Sequence, residues 1–151
     1  MKSSILTHRR AAFVWLAFAA ASAACTSPTS PDELPGVTLL AASVRSSVVP
    51  PGATFPPTIL VEGRNVVVSG LITTPCLGYS ISAAALKLGS LVTITLTARQ
   101  LGNVCLTLED EFAYRATVPL SRGAYSVEVA YEYPATSLPT EVVGKATVVV
   151  R

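Results

Sequence analysis

The densest group of side chains that could carry out chemistry is the acidic triplet Glu109, Asp110 and Glu111. A pair of carboxylates can serve as the acid and base of a glycosidase, and carboxylate oxygens also bind calcium. Consecutive acidic residues diverge along an extended chain, however, and the sequence contains no Asp-x-Asp-x-Asp-Gly pattern. A solvated acidic loop is therefore the favoured interpretation, with a calcium site and then catalysis as the alternatives.

Other catalytic and cofactor-binding patterns are missing from the sequence. The single histidine, His8, lies close to the amino terminus, so the rest of the chain cannot form a Ser-His-Asp or Cys-His arrangement or a histidine-containing metal site. Gly63, Gly70 and Gly78 stand apart, and none is followed by the Lys-Ser/Thr of a phosphate-binding loop. We expect no catalytic residues, no cofactor and no metal.

Tyrosines are better candidates for recognition, because this residue type is enriched at binding interfaces. Tyr133, next to Pro134, is the one most expected to reach solvent, while the alternating tyrosines of the preceding segment more simply face a core. Loops 101–110 and 134–139 could form a binding rim, since loops commonly carry recognition. The five tyrosines are Tyr79, Tyr114, Tyr125, Tyr131 and Tyr133.

The first 24 residues have the pattern of a secretory signal. Lys2, Arg9 and Arg10 precede an apolar run at 11–21, and small residues follow at 22–24. The run is short for a membrane-spanning helix, which needs roughly 20 apolar residues. Removing the segment takes three of the 11 basic residues and leaves eight against nine acidic ones, a net charge of −1. The mature chain therefore has no basic excess that would predict nucleic-acid binding.

Residues 22–25, Ser-Ala-Ala-Cys, resemble the lipobox of bacterial lipoproteins, although Ser22 stands where that motif usually has Leu. The resemblance implies that Cys25 becomes the amino terminus and carries lipid such as palmitate. Residues 25–36 are rich in Pro, Ser and Thr and would then form an extended tether between the membrane and the domain. Thr26, and not Asp, follows Cys25. By resemblance to the sorting preference of enterobacterial lipoproteins, this implies an outer-membrane lipoprotein that faces the periplasm or the surface. Ordinary secretory cleavage without lipid and a retained membrane anchor are the alternatives.

If Cys25 carries lipid, Cys76 and Cys105 remain as a pair in an oxidising compartment. We predict that they form a disulfide. The chain-entropy model gives roughly 3–4 kcal/mol for closing a loop of about 30 residues. A zinc site is the weaker alternative, since two thiols fall short of four ligands, and no Cys-x-x-Cys spacing indicates a redox pair.

From residue 37 to 151, the sequence predicts one all-β domain. Apolar and polar residues alternate with a period of two, as in half-buried antiparallel strands, and turn residues separate the segments. We expect an antiparallel β-sandwich of about seven or eight strands, with a closed barrel as the alternative. The alanines of 82–87 would also tolerate a helix. The predicted strands are 37–44, 58–62, 66–74, 79–87, 91–99, 112–118, 124–133 and 141–150.

Residues 120–129, Leu-Ser-Arg-Gly-Ala-Tyr-Ser-Val-Glu-Val, resemble the Leu-x-x-Gly-x-Tyr-x-Val-x-Val segment of immunoglobulin-like and fibronectin-type modules. The resemblance implies an immunoglobulin-like sandwich in which the Tyr125 hydroxyl bonds back to the chain just upstream and fixes a corner. The chain departs from true immunoglobulin domains because it lacks their core Trp and because Cys76 and Cys105 are too close for their inter-sheet bridge. The resemblance therefore supports the architecture, and fold alone does not determine function.

These features predict a non-enzymatic, lipid-anchored protein of the cell envelope, with an immunoglobulin-like module for protein interaction, adhesion or scaffolding. The expected contacts are the membrane, through the lipid on Cys25, and a protein or glycan of the envelope. The main alternative is a carbohydrate- or ligand-binding accessory module that uses exposed tyrosines such as Tyr133, the acidic triplet and the loops. An inhibitor-like or accessory subunit of an envelope enzyme comes next, and an enzyme last.

Overall fold

The computed structural model describes residues 30–44, 55–102, 109–134, 136 and 138–151. This part of the chain is all β and contains no helix. The strands are β1 (Asp32–Glu33), β2 (Thr38–Ser43), β3 (Thr58–Glu62), β4 (Asn65–Thr74), β5 (Tyr79–Leu88), β6 (Leu91–Gln100), β7 (Asp110–Pro119), β8 (Gly123–Glu132) and β9 (Glu141–Val150).

Two sheets form an immunoglobulin-like β-sandwich, as the sequence predicts. The first has the order β1-β5-β6-β8-β9 and the second the order β2-β7-β4-β3. Since the described strands fall into two separate sheets, the alternative of a closed barrel is wrong. Every described pairing is antiparallel except that of β6 with β8, which run parallel.

The core lies between the sheets and is made by the alternation that the sequence shows. On β6, Val92, Ile94, Leu96 and Ala98 are fully buried, whereas the threonines between them are only partly covered. β8 repeats the pattern, with its inward residues, 125 to 131 in steps of two, all buried. Burial of branched aliphatic side chains at about 25 cal/mol per Å² is the main stabilising contribution.

Segment 82–87, for which a helix was the alternative, is strand throughout. It forms part of β5 and pairs residue by residue with β6, from Ser82 opposite Thr97 to Lys87 opposite Val92. Helix propensity of alanine amounts to less than 1 kcal/mol per residue. Pairing along the whole length of β6 and burial of Ala85 outweigh that preference.

The sequence did not predict β1. Asp32 and Glu33, which fall in the predicted tether, pair with Lys87 and Leu86 at the edge of β5. The Leu34 amide donates to the Ala85 carbonyl oxygen at 2.9 Å, and the Leu34 side chain packs against the core. The β-structure therefore begins at Asp32, inside the segment predicted to be an extended tether.

Candidate functional site

A cavity of about 260 Å³ opens at one end of the sandwich, between the end of β4 and the beginning of β9. Glu111 at the start of β7 and Tyr131 near the end of β8 also line it. Phe55 and Pro56, which lead into β3, complete the wall on the side of that strand. The remaining lining residues are Leu71, Thr73, Tyr133, Glu141, Val142 and Val143.

The cavity exists because β3 is shorter than β4. β3 ends its pairing with Thr58 opposite Ser69, so β4 continues to Thr74 without a neighbouring strand on that side. Two tyrosine hydroxyls from the opposite sheet take the place of that strand. Tyr131 donates to the Leu71 carbonyl oxygen at 2.9 Å, and Tyr133 donates to the Thr73 carbonyl oxygen at 3.0 Å.

Tyr131 also belongs to a buried pair with Tyr114. Their hydroxyl oxygens are 2.9 Å apart, and the rings meet edge to face with centroids 6.0 Å apart and planes at 83°. Such an arrangement is favourable for aromatic rings. Burial raises the pKa of both tyrosines above the usual value of 10.0, and the hydrogen bond between them raises that of Tyr131 further.

The cavity has a negative electrostatic character. Glu111 and Glu141 are acidic, and no lining residue is basic. The Glu111 Oε2 atom is buried and accepts no hydrogen bond from the described part of the protein. Burial raises the pKa of Tyr133, and the nearby charge of Glu141 raises it further.

The acidic triplet does not act as one group, in keeping with the expected divergence of consecutive side chains. Glu109 is exposed, and Asp110 Oδ1 accepts a hydrogen bond from the Ser43 hydroxyl at 2.7 Å. Glu111 lines the cavity, and Glu109 lines an adjoining pocket that shares three of its lining residues. Asp110 lines neither of these pockets, so the three side chains take different positions around this end of the sandwich.

The tyrosines lie mostly in the core. Tyr79, Tyr114, Tyr125 and Tyr131 are all less than 10% exposed, and Tyr133 is partly exposed with its hydroxyl bonded to β4. The Tyr125 hydroxyl donates to the Ser121 carbonyl oxygen at 3.1 Å, which is the upstream bond that the resemblance implies. It also lies 2.9 Å from the Ser121 hydroxyl, and Lys87 Nζ stands 5.7 Å from its ring centroid.

Cys76 is fully buried and is not a free thiol. The Thr74 hydroxyl donates to the Cys76 carbonyl oxygen at 3.0 Å and fixes the turn that leaves β4. Cys25 and Cys105 lie outside the described residues, as do 103–108 of the predicted binding rim and residues 135 and 137. Lipidation of Cys25 and pairing with Cys105 stay predictions.

Sequence reasoning missed Phe55 and Glu141 as site residues, and it placed Tyr131 in the core without a role for its hydroxyl. No local pattern joins these residues, because they come from three separate parts of the chain that only the fold brings together. A polar end on a core-facing residue, as in Tyr131, is the one signal that could have drawn attention to this end of the sandwich.

Among the described residues, no three His, Cys, Asp or Glu side chains are grouped so that they could hold a metal ion. The same part of the chain contains no helix with the length and apolar character needed to cross a membrane. Comparisons with family models, with curated proteins and with solved structures find no match to this chain.

Proposed function

We propose that the mature chain is a non-enzymatic, lipid-anchored protein of the bacterial cell envelope whose β-sandwich binds another protein. The observation that carries this proposal is the cavity at the end of the sandwich, which has an acidic and aromatic lining. Clefts that combine apolar walls with a few placed polar groups are typical binding sites. Exposed apolar side chains at Phe55 and Val142, 50% and 45% exposed, would extend the contact beyond the cavity.

Binding of carbohydrate is the second candidate, and it has less support. A sugar-binding platform needs aromatic faces open to solvent, whereas four of the five tyrosines are buried in the core. Tyr133 is partly exposed, but its hydroxyl is bonded to Thr73. The cavity volume of about 260 Å³ is also below the roughly 300–1,000 Å³ of clefts that enclose drug-sized ligands.

Site-specific photocrosslinking in living bacteria tests the proposal. A photoreactive amino acid replaces Val142, which lines the cavity on β9. The control position is Leu86 on β5, which lies in the same sheet but is separated from β9 by two strands. The two side chains are matched in exposure, at 45% and 43%. We expect one discrete crosslinked protein from position 142 and none from position 86. Equal labelling at both positions, or binding to a glycan array that Tyr133→Ala abolishes, would contradict the proposal.

Lipid attachment and the disulfide are proposed together and are tested by one measurement. Support comes from the burial of Cys76, which is not a free thiol, and from the lipobox-like residues before Cys25. The intact mass of the processed chain should start at Cys25, include acyl chains and rise by two hydrogen masses on reduction. Cys25→Ser should abolish acylation. A mass without lipid, or one unchanged by reductant, would contradict the respective part.

A further inference from the structure

Glu111, which lines the cavity, has one carboxylate oxygen without a hydrogen-bond partner among the described residues. Glu111 Oε2 is buried, yet no donor in the described part of the protein reaches it. We propose that the cavity receives the cationic end of a lysine or arginine side chain from the protein partner, with Glu111 as its ion-pair partner. This inference rests on the proposed function, the binding of another protein.

Charge complementarity is the first argument. Two of the lining residues, Glu111 and Glu141, are acidic and none is basic. The two carboxylate–cation pairs present in the described structure lie elsewhere, between Arg115 and Glu62 and between Lys145 and Glu128, each at 2.7 Å. A buried carboxylate oxygen without a donor is unfavourable, and a charge-assisted hydrogen bond is the strongest means of satisfying it.

The rest of the lining suits the other parts of such a side chain. Phe55, Val142 and Val143 offer apolar surface for a methylene stem, as lysine and arginine stems commonly find in proteins. Tyr133 and Phe55 add aromatic rings, which attract cations. At about 260 Å³ the cavity has room for a single side chain and not for a large ligand.

Calcium is a poorer occupant, because it needs six to eight oxygen ligands. The lining supplies two carboxylates, and these do not belong to a metal-binding group of three or more acidic, histidine or cysteine side chains in the described residues. A small amine without a peptide backbone would use the same carboxylate but would leave exposed Phe55 and Val142 without a contact. A cationic protein side chain and a small amine can therefore be distinguished by the choice of probe.

The test uses the processed chain purified from cells, with its valine methyl groups labelled for NMR. The probes are lysine and arginine blocked at both backbone ends, butylamine, equally blocked norleucine as a neutral control, and calcium. We expect the blocked lysine or arginine to shift the Val142 and Val143 methyl signals with a millimolar dissociation constant, while norleucine does not. Butylamine should bind more weakly than either blocked amino acid.

Two isosteric variants complete the experiment. Glu111→Gln should weaken binding by at least about tenfold, the loss expected for one charge-assisted hydrogen bond. Glu33→Gln removes the same charge from an exposed position on β1, away from the cavity, and should leave binding unchanged. Melting curves establish that both variants fold, and the methyl shifts of the unmodified chain provide a measurement that needs no variant.

Three results would overturn the inference. They are the absence of Val142 and Val143 methyl shifts with both blocked lysine and blocked arginine, an equal effect of Glu33→Gln and Glu111→Gln, and methyl shifts that only calcium produces. Tighter binding of butylamine would identify a small amine as the ligand and overturn the assignment to a protein side chain. If position 142 still crosslinks to one protein after such a result, the proposed binding function stands without the cationic pocket.

Discussion

At the scale of single residues, Gly70 decides whether the tyrosine pair can form. Gly70 lies opposite Tyr114 in the β4–β7 register. A Cβ atom at this position would be 2.8 Å from the Tyr114 hydroxyl oxygen and 3.1 Å from the ring carbon that carries it. Only glycine leaves room for this approach, and the hydroxyl can then reach Tyr131.

We therefore expect Gly70→Ala to destabilise the domain by about 1–3 kcal/mol, the usual loss for overpacking a core. The loss should be smaller in a Tyr114→Phe background, because that variant lacks the hydroxyl oxygen that would lie closest to the new Cβ atom. Gly102→Ala is the matched control, because a Cβ there meets no atom within 4 Å. Urea unfolding of the unmodified chain, Gly70→Ala, Tyr114→Phe, their double variant and the Gly102→Ala control measures these differences. Equal losses in both backgrounds would exclude the clash with the hydroxyl as the cause.

At the scale of strands, side chains complete the sheets where strands end or where a face is open. The Arg115–Glu62 ion pair joins β7 to β3, and Val67 lies between these strands on β4. Val67 is 1% exposed although it alternates with the core-facing Val66 and Val68. The ion pair thus spans the strand on which this outward aliphatic residue is covered.

The tyrosines at the end of β4 provide the second example, and they give different expected losses. Tyr131→Phe removes the donor to the Leu71 carbonyl and a bond to Tyr114 inside the core, so it should cost about 1–3 kcal/mol. Tyr133→Phe removes a single hydrogen bond, to the Thr73 carbonyl oxygen. Because this bond is exposed to solvent, its loss should cost about 0.5–1 kcal/mol. Denaturant unfolding measures both losses, and hydrogen exchange at the end of β4 should rise in each variant. Unchanged exchange would show that the hydroxyls do not replace the missing strand.

The strands themselves could be predicted because alternation is a local property. Segments 58–62 and 141–150 were predicted with the observed bounds, and the other long strands differ by one or two residues at their ends. β1 could not be predicted, since Asp32 and Glu33 have low strand propensity and become a strand only by pairing with the edge of β5. The parallel β6–β8 pair was missed for a related reason, because β7 lies between them in sequence but in the other sheet.

The candidate site was less predictable than the fold. The sequence singled out Glu111 only as a member of an acidic triplet, and it singled out Tyr133 for its expected exposure. Their common position depends on the shortness of β3, which leaves the end of β4 open. That geometry results from the pairing of distant strands and has no counterpart in the spacing of the residues.

For the whole molecule, the buried tyrosines should make the fold less stable as the pH becomes alkaline. Burial raises the pKa of Tyr114, Tyr131 and Tyr133 in the folded protein. In the unfolded chain these groups titrate near the usual tyrosine value of about 10. Above that pH the unfolded chain loses protons that the folded chain keeps, so ionisation favours unfolding. Their contribution is fully present below about pH 10 and is lost as pH rises towards the folded-state pKa values.

We accordingly expect the free energy of unfolding to fall as pH increases from about 10 to 11. The slope is at most about 1.4 kcal/mol per pH unit for each tyrosine that stays protonated in the fold, and solvent screening reduces it. The Tyr114→Phe, Tyr131→Phe double variant should be less stable at pH 8 but should lose stability less steeply above pH 10. Urea unfolding between pH 8 and 11 measures both slopes, and tyrosinate absorbance reports the ionisation itself. Parallel curves for the two proteins would mean that ionisation of other groups causes the alkaline loss of stability.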